Sequence, residues 1–327
     1  MSSVPLEPLR FERHFLEKVW GGRALERRPG IALPPGAIGE TWEVVDRAGE
    51  NSLVAEGGLK GFTLRELMKR HAASLLGVAP PAKDGRFPLL VKYIDACQNL
   101  SVQVHPDDAS AARLGNGAEA KSEAWVIVDA APKSVLYAGL RPEVTAADFA
   151  RVADGPGVLE TLLAWEVERG DCLFVPGGTV HAISAGVTIL EVQQNSDTTY
   201  RLWDWGRTGR EVHVEQALAC IRFGDAARAP VRPRWSAEPG LDAAELVRSA
   251  HFAIDVLRVR EPVRRSTGER CQIYAVFEGR GLLRLPGREE RWALAPGDVW
   301  LVPAACGYHQ LEPVGGELVL VQTHPGS

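Results

Sequence analysis

The residues best suited to chemistry lie in the amino-terminal two-thirds of the chain. Gln103 and His105 stand at i and i+2 in Leu100-Ser101-Val102-Gln103-Val104-His105-Pro106. On a strand that spacing sends both side chains to one face, with Ser101 beside them and Val102 and Val104 on the other. An amide, an imidazole and a hydroxyl turned into an interior need a partner, because buried polar groups without one are costly. A metal ion is one such partner. Glu123 heads a later apolar run, and His181 follows the Pro176-Gly177-Gly178 turn. Two imidazole nitrogens, a carboxylate oxygen and the Gln103 amide make a donor set suited to zinc, with a position left for water or substrate; iron, manganese and cobalt fit the same donors. Each residue also has an ordinary structural role open to it. His105 adjoins a helix start at Asp107 or Asp108, Glu123 can pair with Lys121, and His181 can be a satisfied core histidine.

Bringing these side chains together requires a β framework. The 33 glycines and 22 prolines separate short β-rich runs such as Phe87–Ile94 and Glu123–Val128, the pattern of a sandwich or barrel. Helices are few and peripheral. Thr63-Leu64-Arg65-Glu66 reads as a capping box, with Leu64, Leu67, Met68 and Leu75 on one face and Gly77 as the stop. A second helix is predicted over Val212–Arg222, and Thr145-Ala146-Ala147-Asp148 opens a third. No strand–helix alternation of the doubly wound kind is present.

An internal echo sharpens this. Gly170-Asp171-Cys172-Leu173-Phe174-Val175-Pro176 recurs as Gly297-Asp298-Val299-Trp300-Leu301-Val302-Pro303, and Ser122–Ala130 lines up with Cys271–Gly279. His181 and His309 follow at nearly the same spacing. A Gly-Asp turn, a strand ending in Pro and a downstream His resembles the second half of the cupin motif. The expected fold is therefore mainly β, two cupin (double-stranded β-helix, jelly-roll) barrels with a few peripheral helices. The proline-rich stretch Asp225–Gly240 reads as a surface connector, which divides the chain into a metal-binding unit, residues 1–225, and a carboxy-terminal unit, residues 226–327. In the second unit Gln272 stands where Glu123 does and no Gln-x-His strand precedes it, so that unit is expected to hold no metal.

Composition narrows the partners. At 327 residues the chain exceeds the roughly 100–200 of a typical domain. Its 45% hydrophobic and 24% charged residues are those of an ordinary globular protein, and 37 basic against 42 acidic residues leave no bulk attraction for nucleic acid. No run of about 18 apolar residues exists to span a membrane, and Met1–Glu7 lacks the pattern of a secretory leader. Five cysteines without a C-x-x-C pair fit reduced, mostly buried thiols, so a cytoplasmic protein, monomeric or homodimeric, is expected.

Several segments together resemble the type I mannose-6-phosphate isomerases of the short bacterial kind. They are Phe87–Lys92, Leu100–Asp108, Lys121-Ser122-Glu123, Gly178–Ile183 and Gln193–Arg207, with Trp20-Gly21-Gly22 and Ile38–Glu43 ahead of them. The likeness runs to about residue 224, beyond which the match is that of a generic cupin tail. The resemblance implies one Zn2+ per chain on Gln103, His105, Glu123 and His181, and interconversion of mannose 6-phosphate and fructose 6-phosphate through a cis-enediol(ate). It also implies Arg201 as the essential arginine beside the sugar, with Lys92, Lys121, Ser101 and Glu191 lining the same cavity. Lys121-Ser122-Glu123 departs from the Lys-Thr-Glu or Lys-Pro-Glu common in the family, and Trp203 replaces a common Tyr. The catalytic expectation falls on Arg201, Lys121 and Glu191, with the proton-transfer base open among Glu191, Lys121, Lys92 and a water. Substrate contacts are expected from Ser101, Lys92, Lys121 and Arg207. The rival readings are a non-catalytic sugar-phosphate-binding cupin and an iron-dependent cupin oxygenase.

Overall fold

A computed structural model describes residues 6–326. Met1–Pro5, part of the stretch read above for a leader, and Ser327 lie outside the described residues. The chain passes through β1 (Leu9–Arg10), β2 (His14–Gly22), β3 (Ile38–Val44), α1 (Leu64–Leu76), β4 (Leu89–Ala96), β5 (Val102–Val104), α2 (Asp108–Leu114), β6 (Glu123–Ala130), β7 (Val135–Leu140) and α3 (Ala146–Ala150). It continues through β8 (Leu162–Glu166), β9 (Cys172–Val175), β10 (His181–Ile183), β11 (Val187–Gln194), β12 (Tyr200–Trp203) and α4 (Val214–Cys220). The last part comprises β13 (Ser236–Glu238), β14 (Leu241–Arg248), β15 (Phe252–Val259), β16 (Val263–Ser266), β17 (Gln272–Arg284), β18 (Arg291–Leu294), β19 (Val299–Val302) and β20 (Tyr308–Pro325).

The architecture is mainly β, with strands joined into sheets rather than closed barrels. One sheet runs β2-β3-β4-β11-β6-β9 and the sheet facing it runs β12-β5-β10-β7-β8. The nine-stranded third sheet is built from β13 to β20 and also takes in β1 from the amino-terminal end, Leu9 opposite Leu301. Helix starts follow the capping signals. Thr63 accepts from the Glu66 amide while the Glu66 carboxylate accepts from the Thr63 amide, and Thr145 with Asp148 repeats this at α3. α4 is shorter than the predicted Val212–Arg222: His213 makes no side-chain cap, and the Arg222 amide leaves the helix to donate to Gly178 O at 3.0 Å.

Along β6 the alternation is strict. Trp125 and Ile127 face the opposing sheet with Ile183, Leu136 and Ala138, while Ala124, Val126 and Val128 face outward. That outer face is not in water. It packs with Phe252, Ile254, Ile273, Leu301 and Val321 of the nine-stranded sheet in one continuous core, which is why the strand reads as an unbroken apolar run.

The internal echo is a repeat of hydrogen bonding. Glu123 lies opposite Val175 on the β6–β9 pair, and Gln272 opposite Val302 on β17–β19. The Gly170 amide donates to Ile127 O and the Gly297 amide to Val276 O, both at 2.9 Å. His181 lies opposite Gln103, and His309 opposite Arg265. Each histidine donates its Nδ1–H to the carbonyl two residues earlier, Thr179 at 2.9 Å and Gly307 at 3.2 Å. The connector is partly pinned: Val231 and Cys172 exchange backbone hydrogen bonds at 2.7 and 2.9 Å. All five cysteines are free, as expected; Cys172, Cys220 and Cys271 are buried and Cys97 is exposed.

His309 is fully buried, its Nε2 2.8 Å from Tyr274 Oη, and burial pushes its imidazole down to about 4. The unfolded chain takes up that proton near pH 6.5. Because the native state resists protonation down to about 4, stability drains as pH falls between these values, by on the order of 3 kcal/mol in full. His309→Gln is expected to lose some stability at pH 7.5 yet to show a smaller drop in urea midpoint from pH 7.5 to pH 5 than the wild type. Equal drops would refute this.

Candidate metal centre and its cavity

β5 is short, but its two neighbours carry chemistry to it. His181 on β10 lies opposite Gln103 from one side and Arg201 on β12 from the other. His105 sits just beyond the end of β5. A glycine turn brings it to His181: a Cβ on Gly177 would lie 2.6 Å from Pro106 O, and the Gly178 amide donates to His105 O at 2.7 Å. Glu123 reaches the same point from the head of β6 on the facing sheet.

The ligating atoms of His105, Glu123 and His181 all lie within 4.8 Å of one another, on side chains 1% exposed. His105 donates Nδ1–H to Thr198 O at 2.8 Å, as His181 does to Thr179 O. Both rings therefore present an unprotonated Nε2 to the centre, the tautomer a metal requires. Glu123 Oε1 is 3.2 Å from His181 Nε2, and Oε2 is 3.4 Å from His105 Nε2 and 2.8 Å from Lys121 Nζ. Neither carboxylate oxygen receives a well-directed hydrogen bond, which buried carboxylates rarely tolerate. Gln103 joins them, Nε2 3.2 Å from His181 Nε2 and Oε1 accepting from Ser101 Oγ at 3.1 Å.

Gln103, Lys121 and Glu123 line a cavity of about 330 Å³, with the two histidines against Glu123. Along its wall the six-stranded sheet carries a row of alternating charges. Lys18 is 3.6 Å from Glu40, Glu40 3.5 Å from Lys92, Lys92 3.2 Å from Glu191, Glu191 3.7 Å from Lys121, and Lys121 2.8 Å from Glu123. Sequence reasoning found the inner four and missed Lys18 and Glu40, together with Arg210 and His213 on the far side. Strand neighbours distant in the chain leave no spacing signal. The Trp-Gly-Gly and Ile-Gly-Glu segments did carry one: a Cβ on Gly21 would sit 2.4 Å from Gly39 N, so only glycine allows this approach of β2 to β3.

Charge state follows from position. Burial pushes both histidines down, His105 to about 3, so both are neutral ligands near neutral pH. Burial alone would raise the Glu123 carboxyl, but the Lys121 ammonium beside it overrides this and holds it well below the usual range. Burial raises Glu191, with Lys92 opposing and Glu123 adding to the rise. Lys92 would be lowered by burial but is raised by Glu191 and Glu40.

Gln103, His105, Glu123, His181, Ser101, Lys92, Lys121, Glu191 and Arg201 all converge here. Arg201 donates Nε–H to Ser101 Oγ at 3.3 Å and Nη1–H to Glu211 O at 2.7 Å, and makes no salt bridge with Asp197 or Asp204 among the described residues. Arg207 stands apart from these residues. Its Nη2 donates to Asp204 Oδ1 and to Asn99 O, both at 2.7 Å, which braces the loop.

Comparison with known proteins extends the likeness over nearly the whole chain. The family described as phosphomannose isomerase type I, catalytic domain, matches residues 9–147. The mannose-6-phosphate isomerase of Streptococcus mutans is 33% identical over 97% of this chain and 98% of its own length. The mannose-6-phosphate isomerase ManA of Bacillus subtilis is 34% identical over 94% and 96%. A crystal structure of the mannose 6-phosphate isomerase from Bacillus subtilis superimposes with a TM-score of 0.86 at 29% identity, covering 98% of this chain and all of that one. With two anchored imidazoles and an orphaned carboxylate at the centre of that shared fold, the chain belongs to the type I mannose-6-phosphate isomerase family.

Proposed function

We propose that this protein is an aldose–ketose isomerase interconverting mannose 6-phosphate and fructose 6-phosphate through a cis-enediol(ate), on one zinc ion per chain held by Gln103, His105, Glu123 and His181. The observation that carries the reading is the convergence of two tautomer-fixed imidazoles on a buried carboxylate whose oxygens lack hydrogen bonds. Borderline nitrogen and oxygen donors of this kind favour zinc. A half-turn of the Gln103 amide puts its oxygen toward the centre, and Ser101 Oγ can accept from the amide nitrogen as readily as it now donates. When bound, the ion supplies Lewis acidity for the sugar's carbonyl oxygen.

The chain's own residues do the rest. Moving a carbonyl from C1 to C2 takes a proton off one carbon and returns it to the next, while negative charge builds on oxygen. Arg201 supplies fixed positive charge for that oxygen, pre-aimed by Ser101 and Glu211 O. Lys121 has Glu191 as an alternative partner to Glu123 and can donate to the sugar oxygens. Glu191 is assigned the proton transfer: Oε1 is buried with no directed hydrogen bond, and its carboxyl is raised toward the range a base at neutral pH needs. Lys92 holds that carboxylate in place. Catalysis is thereby assigned to residues 1–225, with 226–327 as a structural partner. Free cysteines support a cytoplasmic setting, and no helix among the described residues is long and apolar enough to cross a membrane.

A coupled assay converting mannose 6-phosphate, with and without chelator, tests the reading: activity should vanish on chelation and return with zinc. A metal-replete protein without turnover would leave a binding cupin. His105→Ala and Glu123→Gln are expected to lose bound zinc in elemental analysis. Arg201→Ala should retain it while kcat falls by about 10²–10³; zinc retained in the first two would contradict the ligand assignment.

A further inference from the structure

We propose that Arg210 is the anchor for the substrate's phosphate and sets the preference for a phosphorylated sugar; this rests on the isomerase reading above. The cavity has a depth gradient. The side chains of His105, Glu123 and His181 are 1% exposed, whereas those of Arg210 and His213 are 29% and 25% exposed. A hexose phosphate with its carbonyl end at the buried centre therefore presents its phosphate near the mouth.

Two arginines pair with one buried carboxylate beside that mouth, and Arg201 lies near them without pairing. Asp204 takes Arg207 Nη2 at 2.7 Å and Arg210 Nη1 at 3.1 Å. Arg207 is spent on Asp204 and the Asn99 carbonyl. Arg210 gives only Nη1 to Asp204, and its Nε and Nη2 have no partner among the described residues. Both Arg201 and Arg210 line the cavity, so one carboxylate faces more guanidinium charge than it can balance. Burial, and next to it the Arg210 charge, depress Arg201. A dianion relieves that repulsion, and a guanidinium edge matches phosphate oxygens in pairs. The cavity's other outer cation, Lys18, is already paired with Glu40. Asp197, exposed on the same cavity, keeps the dianion to the arginine side.

The test compares the zinc-loaded wild type with Arg210→Met and Arg207→Met. Both substitutions remove a partner of Asp204, but only the first removes a cavity residue. Arg210→Met is expected to raise KM for mannose 6-phosphate by about 10–100-fold with kcat changed only a few-fold. It should weaken inorganic phosphate as a competitive inhibitor by a similar factor, and cost kcat/KM for unphosphorylated mannose far less than kcat/KM for mannose 6-phosphate. Arg207→Met should lower Tm without moving these ratios. A KM rise shared by Arg207→Met, or an equal loss on mannose and mannose 6-phosphate, would overturn the proposal. Calorimetric titration with inorganic phosphate needs no turnover. If the wild type fails to isomerise mannose 6-phosphate the functional reading falls, while the change in phosphate affinity on Arg210→Met still decides this one.

Discussion

Six charged side chains and two imidazoles share the interior of one small sandwich, and the site depends on how that cost is met. An isolated charge in such a setting loses its hydration and gains nothing in return. Here five strands carry the row in turn, Lys18 on β2, Glu40 on β3, Lys92 on β4, Glu191 on β11 and Glu123 on β6 with Lys121 just ahead of it, so Lys92 and Lys121 each have a carboxylate on either side and each carboxylate but one sits between two ammoniums. The exception is Glu123, whose outer neighbours are the two neutral imidazoles. The inner end of the row is thus left open at the group of residues that could hold a metal ion.

Much of the centre was legible in the chain because its geometry is local. An i, i+2 spacing on a strand puts Ser101, Gln103 and the approach to His105 on one face regardless of the rest of the fold, and a capping box starts a helix wherever it lies. The partners that fix the histidine tautomers were not legible, since Thr198 O and Thr179 O are backbone atoms with no residue-type signature. Lys18 and Glu40 escaped because adjacency across a sheet depends on strand order, which spacing does not encode. Arg207 and Arg210 are both loop arginines three residues apart beyond the Trp205-Gly206 turn, and neither residue type nor spacing tells which lines the cavity. Within Gln193–Thr199 some residues are scaffolding, since Asn195 donates to Asp46 O and Phe87 O, Ser196 donates to Glu119 O, and the Thr198 carbonyl holds His105, while Asp197 lines the cavity.

The carboxy-terminal unit repeats the strand register and replaces the chemistry. Arg265 occupies the register position of Gln103, Gln272 that of Glu123, and Gln322 that of Glu191. Arg265 donates to Gln322 Oε1 at 3.1 Å and Gln322 to Gln272 Oε1 at 2.7 Å. Neutral amides tied to a covalently attached cation need nothing from solution. Hydrogen-bonded turns and strand pairs therefore define the fold, and ligand side chains are an addition that one copy carries.

The outward face of the catalytic sheet and the face of the nine-stranded sheet share a single apolar core. Melting either half would uncover the same large hydrocarbon surface, so neither has a stable resting state without the other. Thermal cooperativity then spans both, and heat that loosens the carboxy-terminal sheet reaches the strands around His105, Glu123 and His181 at the same temperature.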